Sequence, residues 1–437
     1  MERHRKVRQI LKPTQVNHYS QFFFRSNGVK FALSMWLLSR GLILLAMLGI
    51  APLLPAPPGG IKAELGWEVF SAWDSEHYQQ IAISGYSYAN DTFGADVAFF
   101  PLFPFATRAV MSLGLPFEIA GTLINNLAFL GTLILLYGWV EKRHNPKVAR
   151  WATAALAWCP FSLFGTVIYT EGVFLFLSTA ALRSFDNEEY SWAAFWGALA
   201  TATRIAGLAL IPAFLIAAWR ERRPLIAYLV GIASGIGILG YSLFCWLRFG
   251  EPLAFLIVQR REWQPEQAFW GQGWIRMLTE ISLGPANWNK GAIADPWYPL
   301  VFIFICSLGY FLWRSRDKWG EIRTGYGFCF LILLLWILAG NPLINTAMVL
   351  GGAYLLWYAR QKMSRVALYY GFFSWAIILS SGRTTSAERY IYGIVAIAIA
   401  FGVLLSRYPR WGYTTIGFFT LLLALYAIRF SQHLWVA

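Results

Sequence analysis

Charge is scarce in this 437-residue chain: Asp, Glu, Lys and Arg together make up only 13% of it. An average soluble domain carries about 25%, so a soluble exterior built from this sequence would be short of polar surface. Cysteine is equally sparse. Cys159, Cys245, Cys306 and Cys329 all fall in apolar runs with no CxxC spacing, which argues against a disulfide framework or a zinc site. Small buried hydrophobes are the simpler reading. No low-complexity tract, linker or internal repeat is visible, although many secondary transporters are built from repeats.

What fills the space is apolar. Hydrophobic residues make up 57% of the chain and aromatics 18%, in recurrent runs of about 15 to 25 residues. About 20 apolar residues let a helix cross a bilayer core, and helices satisfy their own backbone in lipid. The short alternating pattern of an outer-membrane barrel is missing. The fold class expected is therefore all-α, a polytopic membrane protein of about 11 to 13 transmembrane helices. Its net charge of +14 is explained by basic loops that stay on the cytoplasmic side. With no recognition motif beside those loops, nucleic acid is not expected as a partner.

The pattern of charge sets an expected topology. Residues 1–30 read as a basic cytoplasmic tail (Arg3, Arg5, Lys6, Arg8, Lys12, Arg25 and Lys30 against Glu2). The run that follows is too long for a signal-peptide core. Residues 55–115 read as a first outer loop with an acidic excess, and 248–296 as a second, rich in Trp. Residues 193–219 are too long for one ordinary span, and two short helices with Arg204 at the outer turn fit better than one tilted helix. The whole chain reads as one integral membrane domain.

Several ionisable residues then fall on one side. Within "WDSEHYQQIAISGY", Asp74, His77, Tyr78 and Ile81 share a helical face. Glu76 points elsewhere, and Gly85 suits the helix end. This reads as a short amphipathic helix lying on the outer surface. Asp74 has two open readings: an N-cap, or a general base for an attacking hydroxyl. His77 could orient it, bind a sugar hydroxyl, or sit at the interface. Two prolines in "AFFPLFP" should stop a regular helix there. "YTEG" puts Glu171 at a helix junction, where the dipole alone would favour it. Arg204 lies within an apolar stretch and needs a carboxylate, carbonyls or a phosphate; a structural pair with Glu171 or Asp74 is the plain alternative. Arg383 and Arg389 in "SSGRTTSAERY" oppose the positive-inside trend. An anionic ligand would explain them, as would pairing with Glu388. Glu76 and Asp96 share a loop and are compatible with a divalent metal, but their spacing demands none, and no cofactor is otherwise indicated.

Taken together, "WDSEHYQQIAISGY", "AFFPLFP", "LAWCPFSLFGTVIYTEGVF" and "ALATATRIAGLAL" resemble the GPI mannosyltransferase 2-type proteins, the PIG-V family. The resemblance covers the first half of the chain by motif and the second by hydropathy. It implies the GT-C architecture, a membrane glycosyltransferase with its active site on the non-cytoplasmic face. It implies a polyprenyl (dolichyl-type) phosphate sugar as donor, mannose as the hexose, and a glycolipid or other membrane-associated acceptor. Transfer would invert the anomeric centre, with Asp74 as the catalytic base. Glu76, His77, Tyr78, Glu171, Arg204, Arg383 and Arg389 are the candidate substrate-binding residues. Two departures stand out. Asp96-Val97 replaces the His-Asn that tends to precede A-F-F-P, and "RIAG" from Arg204 replaces Arg-Ser-Asn-Gly. They leave the acceptor open. A polytopic transporter or lipid flippase, and a non-catalytic scaffold, are the competing function classes. The membrane itself, bacterial plasma membrane or endoplasmic reticulum, is not specified by sequence.

Overall fold

A computed structural model describes residues 26–88, 96–263 and 270–436. Most of the expected basic tail, Asp91 in the first expected loop and residues 264–269 of the second lie outside the described residues. Every regular element among those described is helical. In chain order they are α1 (Ser26–Leu44), α2 (Asp74–Ser84), α3 (Leu102–Met111), α4 (Phe117–Arg143), α5 (Pro146–Trp158), α6 (Glu171–Asp186) and α7 (Tyr190–Thr201), followed by α8 (Leu210–Arg220), α9 (Leu225–Ala233), α10 (Ile236–Phe249), α11 (Ala254–Trp263), α12 (Gln272–Leu283) and α13 (Pro285–Lys290). The last seven are α14 (Trp297–Arg314), α15 (Arg316–Ala339), α16 (Asn341–Ala359), α17 (Arg365–Ser380), α18 (Ala387–Tyr392), α19 (Val395–Arg407) and α20 (Pro409–Ser431).

The chain is an all-α integral membrane protein. Among the described residues, six helical stretches are long and apolar enough to cross a bilayer: Asn27–Leu53, Phe117–Arg143, Leu225–Phe249, Trp297–Arg314, Arg316–Ala339 and Pro409–Ser431. The other expected crossings correspond to helices of 11 to 19 residues, among them α5, α6, α8, α16 and α19. α6 and α19 are buried almost throughout. A helix sheltered by neighbours need not span the hydrocarbon alone, and irregular backbone is tolerated beside it where protein covers it.

Local signals explain the best-defined boundaries. α4 carries Glu118 in its first turn and Lys142 and Arg143 in its last, which matches the helix dipole at both ends. Asn145 then caps α5, its Oδ1 accepting from Val148 N at 3.0 Å, with Pro146 at the position where a missing N–H costs nothing. The residue 193–219 region is two helices, α7 and α8, with Arg204 in the turn between them, as the sequence suggested. The prolines of "AFFPLFP" behave differently from the expectation. Pro101 is the N-cap of α3 and Pro104 sits in its first turn, where no i−4 hydrogen bond is lost. They start a helix instead of ending one.

The core is one large cluster built on α1, α4–α8 and α16–α20. Small residues let its helices approach closely. A Cβ on Gly402 of α19 would lie 2.6 Å from Ala152 Cβ on α5, the close backbone contact that Gly and Ala permit between membrane helices. A second, smaller cluster joins Val97, Phe100, Tyr241, Phe255 and Val258, and so ties the loop around Asp96 to α10 and α11.

Candidate active site

The site is built on an irregular, fully buried segment, residues 159–170, between α5 and α6. Its backbone groups need partners, and three polar side chains from membrane helices supply them. Arg40 Nη1 donates to Ser162 O at 2.8 Å and to Thr166 Oγ1 at 2.7 Å, while its guanidinium lies over the Phe129 ring at 4.6 Å. Asn125 Nδ2 donates to Phe164 O and Val167 O at 2.8 and 2.6 Å, and Asn126 Nδ2 to Thr166 O at 3.1 Å. The segment therefore enters α6 in one fixed geometry, with Thr170 as N-cap and Glu171 as first helical residue. Gly172 follows because nothing larger fits: an added Cβ would sit 2.5 Å from Asn125 O.

α2 is fastened to the same segment. Ile168 N donates to Phe70 O at 3.1 Å, and Ser75 Oγ donates to Ile168 O at 3.0 Å. These bonds bring Asp74, at the start of α2, beside Glu171. Ser75, Tyr78, Ile81 and Ala82 are buried, while Glu76, Gln80 and Ile83 are exposed, so α2 is the amphipathic surface helix the sequence suggested, packed onto the protein along one side. Gly85 closes the helix with φ 84°. The N-cap is Trp73, not Asp74, and it makes no side-chain cap bond. Trp73 has φ 59°, a strained conformation for a bulky residue, with its ring edge-on to Trp435 at 5.3 Å.

Four charges alternate along one wall. Arg389 Nη1 lies 3.3 Å from Asp74 Oδ2, and its Nε 3.5 Å from Glu171 Oε1. Arg204 Nη1 lies 2.6 Å from the same Glu171 oxygen and donates to Thr170 Oγ1 at 2.9 Å. The plain alternative for Arg204, a pair with Glu171, thus forms. Glu171 is 2% exposed and Arg389 4%, so each charge depends on its partners. Burial pulls the Arg389 pKa down, but Asp74 and then Glu171 hold it well above the usual arginine value. Burial opposes charge at Arg204 too, and Glu171, together with Tyr78 and Tyr390, more than offsets it. Phe164, Tyr169 and Tyr390 present ring faces to Arg389 at 5.0 to 5.3 Å.

A second group completes the wall. His77 Nδ1 meets Asp96 Oδ1 at 3.0 Å, Ser87 Oγ donates to Asp96 Oδ2 at 2.9 Å, and the imidazole stacks on Phe99 at 4.4 Å. Tyr78 packs edge-on to Phe99 and Phe103, with its hydroxyl 3.5 Å from Thr170 Oγ1. Glu76 is exposed on the far edge. No group of three or more His, Cys, Asp or Glu side chains converges as a metal-ligand set among the described residues, and both Asp96 oxygens are occupied by protein groups.

All eight residues singled out from the sequence, Asp74, Glu76, His77, Tyr78, Glu171, Arg204, Arg383 and Arg389, line one cavity of about 590 Å³. Ile377 and Ile378 of α17, with Phe174 and Ile205, give it an apolar side. Sequence reasoning missed the clamps Arg40, Asn125 and Asn126, and weighed Asp96 only as a departure or a metal ligand. The signal for Arg40 was present, since a charge inside an apolar span calls for an internal partner.

Residues 52–219 match the sequence model of the mannosyltransferase (PIG-V) family. The family likeness read from the motifs is thereby shown for that segment. The PIG-V segment carries Asp74, His77, Asp96, Glu171 and Arg204, while Arg383 and Arg389 come from outside it. No curated protein matches the chain. Among solved structures the chain is similar to ArnT from Cupriavidus metallidurans bound to undecaprenyl phosphate, at 16% identity and TM-score 0.47, over 90% of this chain and 62% of that one. It is also similar to an oligosaccharyltransferase from Archaeoglobus fulgidus in complex with Zn and sulfate, at 13% identity and TM-score 0.44, over 92% of this chain and 53% of that one. The chain spans about half the length of that oligosaccharyltransferase.

Proposed function

We propose that the chain is a membrane glycosyltransferase that moves a hexose, mannose by the family likeness, from a polyprenyl-phosphate sugar to an acceptor hydroxyl on the non-cytoplasmic face. The observation that carries this reading is the alternating Asp74–Arg389–Glu171–Arg204 array on the wall of a cavity that is polar on one side and apolar on the other. An isoprenoid donor needs both: aliphatic wall for its chain and cations for its phosphate.

In the proposed reaction the acceptor oxygen attacks the anomeric carbon as the bond from that carbon to the phosphate oxygen breaks. The electron pair of the broken bond stays on the leaving phosphate. Arg204 and Arg389 face that developing charge, already oriented by Glu171, and preorganised cations in a poorly hydrated site stabilise it without reorganising. Their planar forks keep further N–H donors for phosphate oxygens. Asp74 takes the acceptor proton; Arg389 engages its Oδ2, and Oδ1 remains for the hydroxyl. A single displacement needs one carboxylate at the attacking oxygen and inverts the centre. His77, braced by Asp96, and Tyr78 shape the wall against which the sugar lies.

The test is transfer of label from polyprenyl-phosphate mannose by the full chain in membranes, with identification of the labelled product. Label should move with the wild type and fail to move with Asp74→Asn. A fully competent Asp74→Asn variant would remove Asp74 as the base, and no transfer of label by the wild type would sink the enzymatic reading in favour of a transporter or scaffold.

A further inference from the structure

The residue before Asp74 holds a backbone conformation that its own side chain disfavours. Trp73 has φ 59° and ψ −115°, and the turn it occupies is closed by Ser75 N donating to Ala72 O at 3.3 Å. That combination belongs to the first central position of a type II′ turn, where glycine dominates because it has no Cβ to clash. A bulky residue there stores strain and persists only where the surroundings enforce it. Ser75 supplies one restraint: it is buried, and its Oγ bonds both Ala72 O and Ile168 O at 3.0 Å. Those bonds fix the backbone on the two sides of Trp73. The indole itself is 40% exposed and packs edge-on against Trp435, with ring planes at 80°.

Trp435 is fixed in turn by the segment that leaves α20. Leu434 N donates to Arg429 O at 2.9 Å and His433 N to Phe430 O at 3.0 Å, with His433 at φ 55°. This is the paired bonding of a Schellman motif, which needs a left-handed residue at that point. Arg429 Nη2 then donates to Trp435 O at 3.2 Å. The motif is tied to the loop after α1: Ile61 N donates to Gln432 O at 2.9 Å and Gln432 Nε2 to Pro55 O at 3.3 Å. A Cβ on Gly60 would lie 2.5 Å from Gln432 O, so the two segments meet backbone to backbone. Both tryptophans line the Asp74 cavity. We infer that Trp435 is a positioning residue for Asp74: acting through the Trp73 indole, it keeps the strained turn from relaxing and so holds the carboxylate towards Arg389 and the cavity. This rests on the reading of Asp74 as the base, and it brings the segment after α20 into the working site.

The test is a double-mutant cycle on the full chain in lipid nanodiscs, because coupling between two positions is what the inference asserts. An edge-on aromatic pair is worth roughly a two- to tenfold shift in an equilibrium. Trp435→Ala should therefore lower kcat for label transfer about three- to tenfold with donor KM little changed, and Trp435→Phe, which keeps a ring edge, should restore most of it. Glycine adopts the Trp73 dihedrals without strain, so Trp435→Ala added to Trp73→Gly should cost less than about a further twofold. Hydrogen exchange gives a readout free of turnover: Trp435→Ala should speed exchange at the Ser75 and Glu76 amides, which bond Ala72 O and Trp73 O, and should not do so in Trp73→Gly. Unchanged exchange in Trp435→Ala, or an equal loss of kcat with and without the Trp73 side chain, overturns the inference. Faster exchange in Trp435→Ala together with full label transfer by Asp74→Asn would instead remove the proposed base and leave the brace standing.

Discussion

Arg389 reaches Asp74 across 315 residues of sequence, Nη1 to Oδ2 at 3.3 Å. One partner opens the PIG-V segment's first polar helix, and the other lies on a six-residue helix far beyond that segment. The contact fixes one carboxylate oxygen and brings a cation within reach of the same cavity. In the proposed reaction, proton acceptance and leaving-group stabilisation would therefore converge on one point of the fold.

Asp74 and Glu76 line the same cavity, and substitution separates them. Asp74→Asn keeps the size and removes proton acceptance, so transfer should fall about 10²- to 10⁴-fold. Glu76→Gln, on an exposed edge with no part in the four-charge array, should change it less than about threefold. Initial rates of label transfer at saturating donor decide between them, and the reverse ranking would move the base to Glu76.

Arg389 is also a structural liability. Arg389→Ala would leave Glu171 buried with Arg204 alone and free Asp74 of its partner. Breaking a buried pair from one side costs about 3–5 kcal/mol. Arg389→Lys keeps the charge but loses the fork. Thermal unfolding in nanodiscs should rank the stability as wild type, then Arg389→Lys, then Arg389→Ala. Transfer by Arg389→Lys should fall further than its lost stability explains.

The helices and the chemistry-bearing residues were legible because both leave local traces. Apolar length marks a span, and a charge inside one marks a site. Arg204 was found that way, Glu171 from its place at a helix junction, and Arg389 from its opposition to the positive-inside trend. The Arg204–Glu171 pair stood among the alternatives, but the meeting of Arg389 with both Asp74 and Glu171 was not legible, because it depends on a buried loop held by Arg40 and Asn125 from two other helices. Asp96 was misjudged for the same reason. Its role is set by His77 and Ser87 across a turn, and nothing in the spacing of those residues announces a shared carboxylate. α2 was legible as an amphipathic helix from its face pattern. What was not legible is the Ser75–Ile168 bond that fixes it beside Glu171, a tertiary contact.

Gly172 offers a test of the buried loop. A methyl group there would press on the Asn125 backbone oxygen, which cannot swing away as a side-chain tip can. Overpacking of this kind costs about 1–3 kcal/mol, and the displacement falls on Glu171, the residue that orients both arginines. Gly172→Ala should lower the unfolding temperature and reduce turnover together, with donor KM raised. An unchanged donor KM would mean that the start of α6 is less constrained than its contacts indicate.

Glu388 gives the last prediction, through pH. It is 4% exposed, its Oε2 has no hydrogen-bond partner, and its backbone N–H donates to Asn345 Oδ1 at 3.1 Å. Burial pushes its pKa up from 4.5 to about 7, with Arg389 and Asn345 only partly opposing. The folded state therefore binds this proton more tightly than the unfolded chain does. By linkage, stability from this group is fully present below about pH 4.5, declines as pH rises through the interval up to about 7, and is gone above it. Glu388→Gln mimics the protonated form at every pH. The variant should match the wild type near pH 4.5 and become progressively more stable than it towards pH 8, read as the difference in unfolding temperature across that range. A constant difference between the two proteins over the whole interval would show that Glu388 does not titrate there.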